Sequence, residues 1–291
     1  MPINDSELIL NPDGSIYHLN LKPEHIADTI ILVGDQDRVE KVSKHFEVIE
    51  FKTQKREFKT HTGWYKGKHL SVISTGIGPD NIDIAINELD ALANIDFNKR
   101  MVKEDITTLN FIRIGTSGAL QEDIPLDAFV ISEYGLDLNG MLHSYQTGNI
   151  TNPEMERAFI QHTQWPIFKA RPLLITCSEA LEQQLVSAHT YKGITLTAVG
   201  FYGPQGRILR LPLDDESLNS KIQTFHFNGL RVTNLEMETS AIYGLSKLMG
   251  HQAVSLNAII ANRTLGTFSK NPGKTVDRLI TYTLERLVKE E

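Results

Sequence analysis

The ten residues Thr29-Ile30-Ile31-Leu32-Val33-Gly34-Asp35-Gln36-Asp37-Arg38 decide how this chain folds. The run Thr29 to Val33 is aliphatic or β-branched without a break, the pattern of a strand buried on both faces. Gly34 ends the run, and the spacing beyond it predicts a helix over 37–46. A strand that turns at glycine into a helix is the repeating unit of a parallel, helix-covered sheet. The turn also carries chemistry. Glycine lets backbone amides approach an anion, the helix terminus adds partial positive charge, and Arg38 supplies a forked donor. Read alone, the same residues also describe an ordinary turn with an exposed arginine. A Walker loop and the glycine spacing of a dinucleotide fingerprint are both missing from the sequence, which disfavours triphosphate and nicotinamide chemistry.

The alternation continues along the chain. Further strands are predicted at 69–75, 109–115, 128–132, 173–177, 195–200 and 253–261, and further helices at 79–92, 153–163, 178–185, 236–249 and 274–289. Pro79 suits a first helical turn and Gly250 reads as a helix stop. The charged stretch 97–107 reads as a surface excursion, and 211–228 as a short helix placed as a lid over the site. No linker, repeat or low-complexity tract divides the chain. The expectation is one domain over 1–291, with 1–16 as an N-terminal extension, built as a three-layer α/β/α fold around a mixed, largely parallel sheet.

Composition narrows the function. At 291 residues, 41% hydrophobic and 22% charged, the chain is ordinary for a globular protein with a sizeable core. Its net charge of −7 argues against a general nucleic-acid binder, so any phosphate ligand is small and held locally. The single cysteine, Cys177, rules out an internal disulfide and reads as an inert core thiol. The first residues do not form a secretion signal, and no apolar run approaches the ~20 residues that span a bilayer. A cytoplasmic protein is expected.

Three segments hold most of the candidate site. Phe201-Tyr202-Gly203-Pro204-Gln205-Gly206-Arg207 sets an aromatic ring, a carboxamide and a guanidinium close together. Such a set can stack on a flat heterocycle, offer it a donor and an acceptor, and stabilise charge on a ring oxygen, which suits a pyrimidine. In Phe111-Ile112-Arg113-Ile114-Gly115-Thr116-Ser117-Gly118, Arg113 lies in an apolar run where a guanidinium needs an anion or a carboxylate partner. It also stands near a strand end, the usual ligand position in such sheets. Glu236-Met237-Glu238 reads as a helix start, with one glutamate facing a ligand. The histidines His61, His69, His143, His162, His189, His226 and His251 are too scattered for a metal site.

With these residues in order, the chain resembles the nucleoside phosphorylase family, specifically its uridine phosphorylases, from about His18 onward. The resemblance implies reversible phosphorolysis of uridine to uracil and ribose 1-phosphate, without a cofactor and with inorganic phosphate as co-substrate. It implies phosphate binding by Gly34, Arg38, Arg56, Arg113 and Thr116. Ribose contacts would come from His18, Thr116, Glu236, Met237 and Glu238, and base contacts from Ser117, Gly118, Phe201, Gln205 and Arg207. Arg207, Arg113 and Glu238 would carry catalysis. His18 and Arg56 match residues that act across a subunit interface, which implies a homodimer or a hexamer built from dimers. Some relatives hold potassium through residues matching Glu57 and Ser74.

Alternatives remain at this level. Bacterial purine enzymes of the superfamily usually carry a Ser-Asp pair near the end of a late strand, where this chain has Asn262-Arg263. A purine or broad-specificity phosphorylase is therefore the nearest alternative. A non-catalytic nucleoside-binding regulator and a hydrolytic nucleosidase are the others.

Overall fold

The computed structural model describes residues 2–289. In chain order the elements begin with β1 (Thr29–Val33), α1 (Gln36–Ser43), β2 (Val48–Lys55), β3 (Phe58–Tyr65), β4 (Lys68–Ser74) and α2 (Pro79–Asn94). A small hairpin, β5 (Ile95–Asp96) and β6 (Met101–Val102), leads to β7 (Asn110–Ala119), β8 (Phe129–Asp137), α3 (Pro153–Thr163), β9 (Leu173–Thr176) and α4 (Glu179–Leu185). The last third holds β10 (Thr190–Thr197), α5 (Leu218–Gln223), β11 (His226–Phe227), β12 (Leu230–Glu236), α6 (Thr239–Leu248), β13 (Gln252–Asn262), β14 (Thr267–Phe268) and α7 (Pro272–Leu287).

Each boundary has a local cause. The Asp35 side chain accepts from the Asp37 amide at 2.9 Å and caps α1, Gly78 at φ 102° delivers Pro79 into the first turn of α2, and Ser178 caps α4 through the Leu181 amide. Gly250, at φ 80°, follows the end of α6 as a left-handed stop. The main sheet runs β11-β12-β10-β8-β13-β7-β1-β4-β3-β2, parallel through β13-β7-β1-β4 and β8-β10-β12, and antiparallel at the β8-β13 seam and the β2-β3-β4 margin.

Helices cover both faces, as a mixed three-layer fold requires. Ile82, Ile86 and Leu89 of α2 and Ile242 and Leu245 of α6 pack on one side, with Leu8, Ile16, Leu19 and Leu21. On the other side lie Val39 and Val42 of α1, Leu181 and Leu185 of α4, and Leu279 and Leu284 of α7. The N-terminal stretch is thus packed on the core through Leu8 and Ile16. No helix among the described residues is long and apolar enough to cross a membrane.

One feature has no counterpart in the sequence patterns. β12 pairs with β10 on one side and also reaches β7, with Asn234 opposite Ala119 and Leu235 opposite Gly118. The strands β7, β13, β8, β10 and β12 therefore close on themselves, leaving β1 to β4 as an open wing.

Several sequence expectations shift. The helix expected from 236 begins at Thr239, because Glu236 closes β12 and Glu238 occupies the cap position. The strand expected at 195–200 lies at Thr190–Thr197. Arg56 sits in the β2-β3 turn at φ 54°. The 97–107 excursion belongs in part to the β5-β6 hairpin, which leaves Met101 and Val102 exposed. The expected helix within 211–228 is the short α5.

Candidate active site

A cleft of about 950 Å³ opens at the C-terminal ends of β1 and β7, where Gly34, Arg38, Arg113 and Thr116 line it. Arg38 reaches from the first turn of α1 to the Ile114 carbonyl, with Nη1 donating at 3.2 Å. Burial, and then the Arg113 charge, lower its pKa from the ordinary value. Two guanidinium groups therefore stand close together, an arrangement that favours an anion between them.

Arg113 is deeply buried and held by three side chains. Its Nη2 donates to Glu238 Oε2 at 2.5 Å and lies 3.1 Å from Glu236 Oε2, while Nη1 donates to Asn257 Oδ1 at 2.9 Å. The side chain folds back over Gly115, and a Cβ at that position would collide with the guanidinium. Burial opposes its charge, but Glu236 and Glu238 outweigh burial and raise its pKa. Arg113 therefore has the carboxylate partners that its apolar surroundings demand.

Glu236 and Glu238 are held differently. Glu236 accepts from Thr197 Oγ1 at 2.8 Å and from the Glu238 and Thr239 amides, so it caps α6 from the strand side. Burial first, and then the Glu238 charge, raise its pKa, with Arg113 acting in the opposite sense. Glu238 Oε1 accepts from the Gly78 amide at 2.8 Å. Met237 lines the cleft between them.

Farther along β7, Ser117 and Gly118 lead to the 201–207 loop. The separation from Ile114 to Gly118 is roughly 13 Å at strand spacing. Arg263 packs over Gly118 and donates to the Gln205 carbonyl at 3.2 Å and the Gly206 carbonyl at 3.4 Å. Asn219 of α5 donates to the same Gln205 carbonyl at 3.0 Å, so the expected lid helix touches the loop backbone. Arg207 stacks on Phe201, with its guanidinium carbon 3.8 Å from the ring centroid, and donates to Gln205 Oε1 at 2.5 Å. Burial, then the Arg263 charge, push the Arg207 pKa down to about 10, leaving it protonated at neutral pH.

Two expected residues lie outside this cleft. His18 Nδ1 lies 2.6 Å from Glu88 Oε1 on α2, and Arg56 extends past the Tyr17 ring at 5.8 Å. Ser74 Oγ donates to the Glu57 carbonyl at 2.6 Å and accepts from the Lys59 amide at 2.8 Å, whereas Glu57 lines the cleft. Ser74 Oγ is thus engaged by backbone groups, and no chemistry is assigned to potassium. The described residues include no group of three His, Cys, Asp or Glu side chains fit to hold a metal. Burial pushes the Cys177 thiol up to about 12, which leaves it unreactive.

The sequence reading did not include Gly76, Ile77, Asn81 and Phe268 in the cleft, or Asn257 behind Arg113. The glycines of Thr75-Gly76-Ile77-Gly78 were a usable signal, since they precede a helix start much as Gly34 does. Asn257 gave none, because its strand partners come from distant parts of the chain.

A closed mixed sheet with an arginine-lined pocket at its strand ends, running into a carboxamide-guanidinium loop, can hold a small anion beside a flat heterocycle. The chain belongs to the phosphorylase superfamily, whose family model matches residues 28–286. It is 31% identical to a uridine phosphorylase of Thermococcus kodakarensis over 264 residues, covering 89% of this chain and 81% of that protein. It is 30% identical to a DeoD-type purine nucleoside phosphorylase of Alkaliphilus metalliredigens over 272 residues, 92% of this chain and 97% of the other. A Trypanosoma brucei nucleoside phosphorylase described as showing uridine phosphorylase activity superposes with a TM-score of 0.87 at 28% identity, covering 97% of this chain and 99% of that one.

Proposed function

We propose that this chain is a uridine phosphorylase, converting uridine and phosphate reversibly to uracil and ribose 1-phosphate. The observation that carries this reading is one cleft holding Arg38 and Arg113 near Ile114 and the Gln205-Arg207 pair beyond Gly118. Phosphate, held by Arg38, Arg113, Thr116 and the Gly34 backbone, attacks the anomeric carbon opposite the base. The glycosidic bond stretches as the new bond forms, so the configuration inverts. Glu238 takes the ribose diol once phosphate competes for Arg113, with Met237 against the sugar and Glu236 fixing the start of α6. Arg207 and Gln205 meet the carbonyl and imide edge of uracil and stabilise the negative charge that grows on it. Positioning and electrostatics accomplish this without a covalent enzyme intermediate.

The purine alternative is weaker at Asn262-Arg263. Asn262 Nδ2 donates to the Gln121 carbonyl at 2.9 Å and the Ile124 carbonyl at 3.0 Å, and Arg263 is directed under the 201–207 loop. Neither offers a proton to a purine. His18 and Arg56, which miss their own cleft, are assigned to the neighbouring subunit's site in a homodimer or a multiple of it. We place the enzyme in the cytoplasm, in nucleoside salvage.

The deciding measurement follows uridine and inosine consumption with and without phosphate and identifies the sugar product. Ribose 1-phosphate from uridine, with phosphate required, is expected; free ribose or a preference for inosine overturns the assignment. For the shared site, mixing Arg56→Ala and Glu238→Ala proteins should restore activity after subunit exchange. No recovery after demonstrated exchange would leave each subunit self-sufficient.

A further inference from the structure

The closed part of the sheet contains polar side chains where a hydrophobic filling is usual. Arg113 on β7 donates to Asn257 on β13 at 2.9 Å, and Asn257 Nδ2 donates to Ser132 on β8 at 3.2 Å. Ser132 and Thr195 on β10 are 2.5 Å apart, Thr195 donates to Asn234 Oδ1 on β12 at 2.9 Å, and Asn234 Nδ2 donates to Ser117 on β7 at 2.8 Å. One residue from each of the other four closed strands thus links Arg113 to Ser117, both on β7, by a path around the interior.

Arg113 fixes the first step of the path, and the placement of the Asn234 amide fixes the last. A guanidinium only donates, so the oxygen of Asn257 must face it and the amide nitrogen must face Ser132. The one hydroxyl hydrogen of Thr195 goes to Asn234, so Ser132 must donate to Thr195. Asn234 Oδ1 accepts from Thr195 at 2.9 Å and shares the Thr233 hydroxyl with the Ile194 carbonyl, while its nitrogen donates to Ser117. Ser117 therefore receives a hydrogen bond from within and keeps its own hydrogen. Among the described residues no acceptor takes that hydrogen, and Ser117 lines the cleft.

We propose that Asn234 is a positioning residue that makes Ser117 an outward donor, so that the atom Ser117 meets on the nucleoside must be an acceptor, a carbonyl oxygen of the base. This rests on the phosphorylase reading above for the identity of the ligand, but not for the direction of the chain. Arg113, at the head of the path, orients Asn257 while it binds phosphate.

Asn234→Asp tests the idea with little change in shape. At a pH where the new carboxyl is ionised it still accepts from Thr195 and Thr233 but cannot donate, so the Ser117 hydrogen must turn inward. Asn234→Asp and Ser117→Ala should each lower kcat/KM for uridine about tenfold, the size of one lost hydrogen bond. The double variant should be no worse than either single one, because both remove the same donor. Phosphate KM should stay within about twofold, and Ser117→Thr, which keeps the hydroxyl, should retain most of the uridine kcat/KM. Additive losses, a neutral Ser117→Ala, or a phosphate KM that rises alongside uridine KM would overturn the proposal. Neutron diffraction of the deuterium-exchanged, unliganded protein decides the direction without any activity. A deuteron on Ser117 Oγ directed into the cleft supports the chain, and one directed at Asn234 ends it. If the wild type fails to cleave uridine, the functional reading falls while the neutron result still stands.

Discussion

The floor of the cleft and its 201–207 rim are built on opposite plans. Arg113, Glu236 and Glu238 are 6%, 4% and 6% exposed, and both terminal guanidinium nitrogens and all four carboxylate oxygens are met by partners. Phe201 and Tyr202 are 50% and 54% exposed, and the chain just beyond them leaves Leu209 and Leu211 open. Arg263 and Asn219 tie the rim to the rest of the chain by donating to its carbonyls, and its other bonds run within the loop. Buried charges need every partner in place, so the floor couples chemistry to stability. The rim does not share that constraint, so its side chains can follow the base without loosening the fold.

The largest expected effect comes from breaking the floor. Arg113→Ala leaves two buried carboxylates without their cation, which should cost about 3–5 kcal/mol of stability by denaturant titration. It should also lower kcat/KM by about a thousandfold or more. Arg113→Lys should recover little, since a point charge does not reproduce the fork. A stable, active Arg113→Ala protein would show that floor and fold are independent.

Gly115→Ala leaves every functional group in the chain and removes only space. The added methyl takes the place of the guanidinium, so Arg113 must leave its bonds to Asn257 and Glu238. About 1–3 kcal/mol of stability should be lost, and phosphate KM should rise more than uridine KM. Equal changes in both KM values would show that the site deforms as one body.

At the rim the expected result is the reverse. Arg207→Ala should reduce kcat about tenfold to a hundredfold, more than it raises uridine KM, while stability changes by less than about 0.5 kcal/mol. A melting shift as large as that of Gly115→Ala would abolish the contrast between floor and rim.

The smallest effect on the cleft comes from acid acting elsewhere. His61 on β3 accepts or donates at 2.7 Å with Ser43 of α1, and burial lowers its pKa from 6.5 to about 4. Because the folded value lies below the unfolded one, its stabilising contribution is present above pH 6.5 and lost as pH falls toward 4. The loss should be at most about 3 kcal/mol and should disappear in a His61→Gln protein, which still cleaves substrate at pH 7. Unchanged acid sensitivity in that variant would place the titrating group elsewhere.

Local patterns carried much of this molecule. The β1-α1 turn, the apolar run around Arg113 and the Phe201–Arg207 set were readable because each is a short segment with its own chemistry. Residue roles near element ends were harder to read. Glu236 and Glu238 looked like one helix start, yet one closes a strand and the other occupies a cap, a division made by Thr197 and Gly78 from elsewhere. The β2-β3 hairpin was missed because Arg56 makes its turn in the left-handed region without a glycine. Asn234, Asn257 and Ser132 broke the apolar pattern of their strands, and only the closure of β12 on β7 shows that these polar side chains satisfy one another.

That closure also sets the order in which the enzyme can come into being. β13 lies between β7 and β8 in the sheet, yet it is the last long strand to be synthesised, more than a hundred residues after both. At ribosomal rates of roughly 5–20 residues per second, the two earlier strands wait several seconds for the one that separates them. Until it arrives, β8 lacks its neighbour at the seam and Arg113 lacks Asn257. The nascent chain therefore passes through a period with a buried charge site still half-made and strand edges uncovered, which is when it most needs a chaperone.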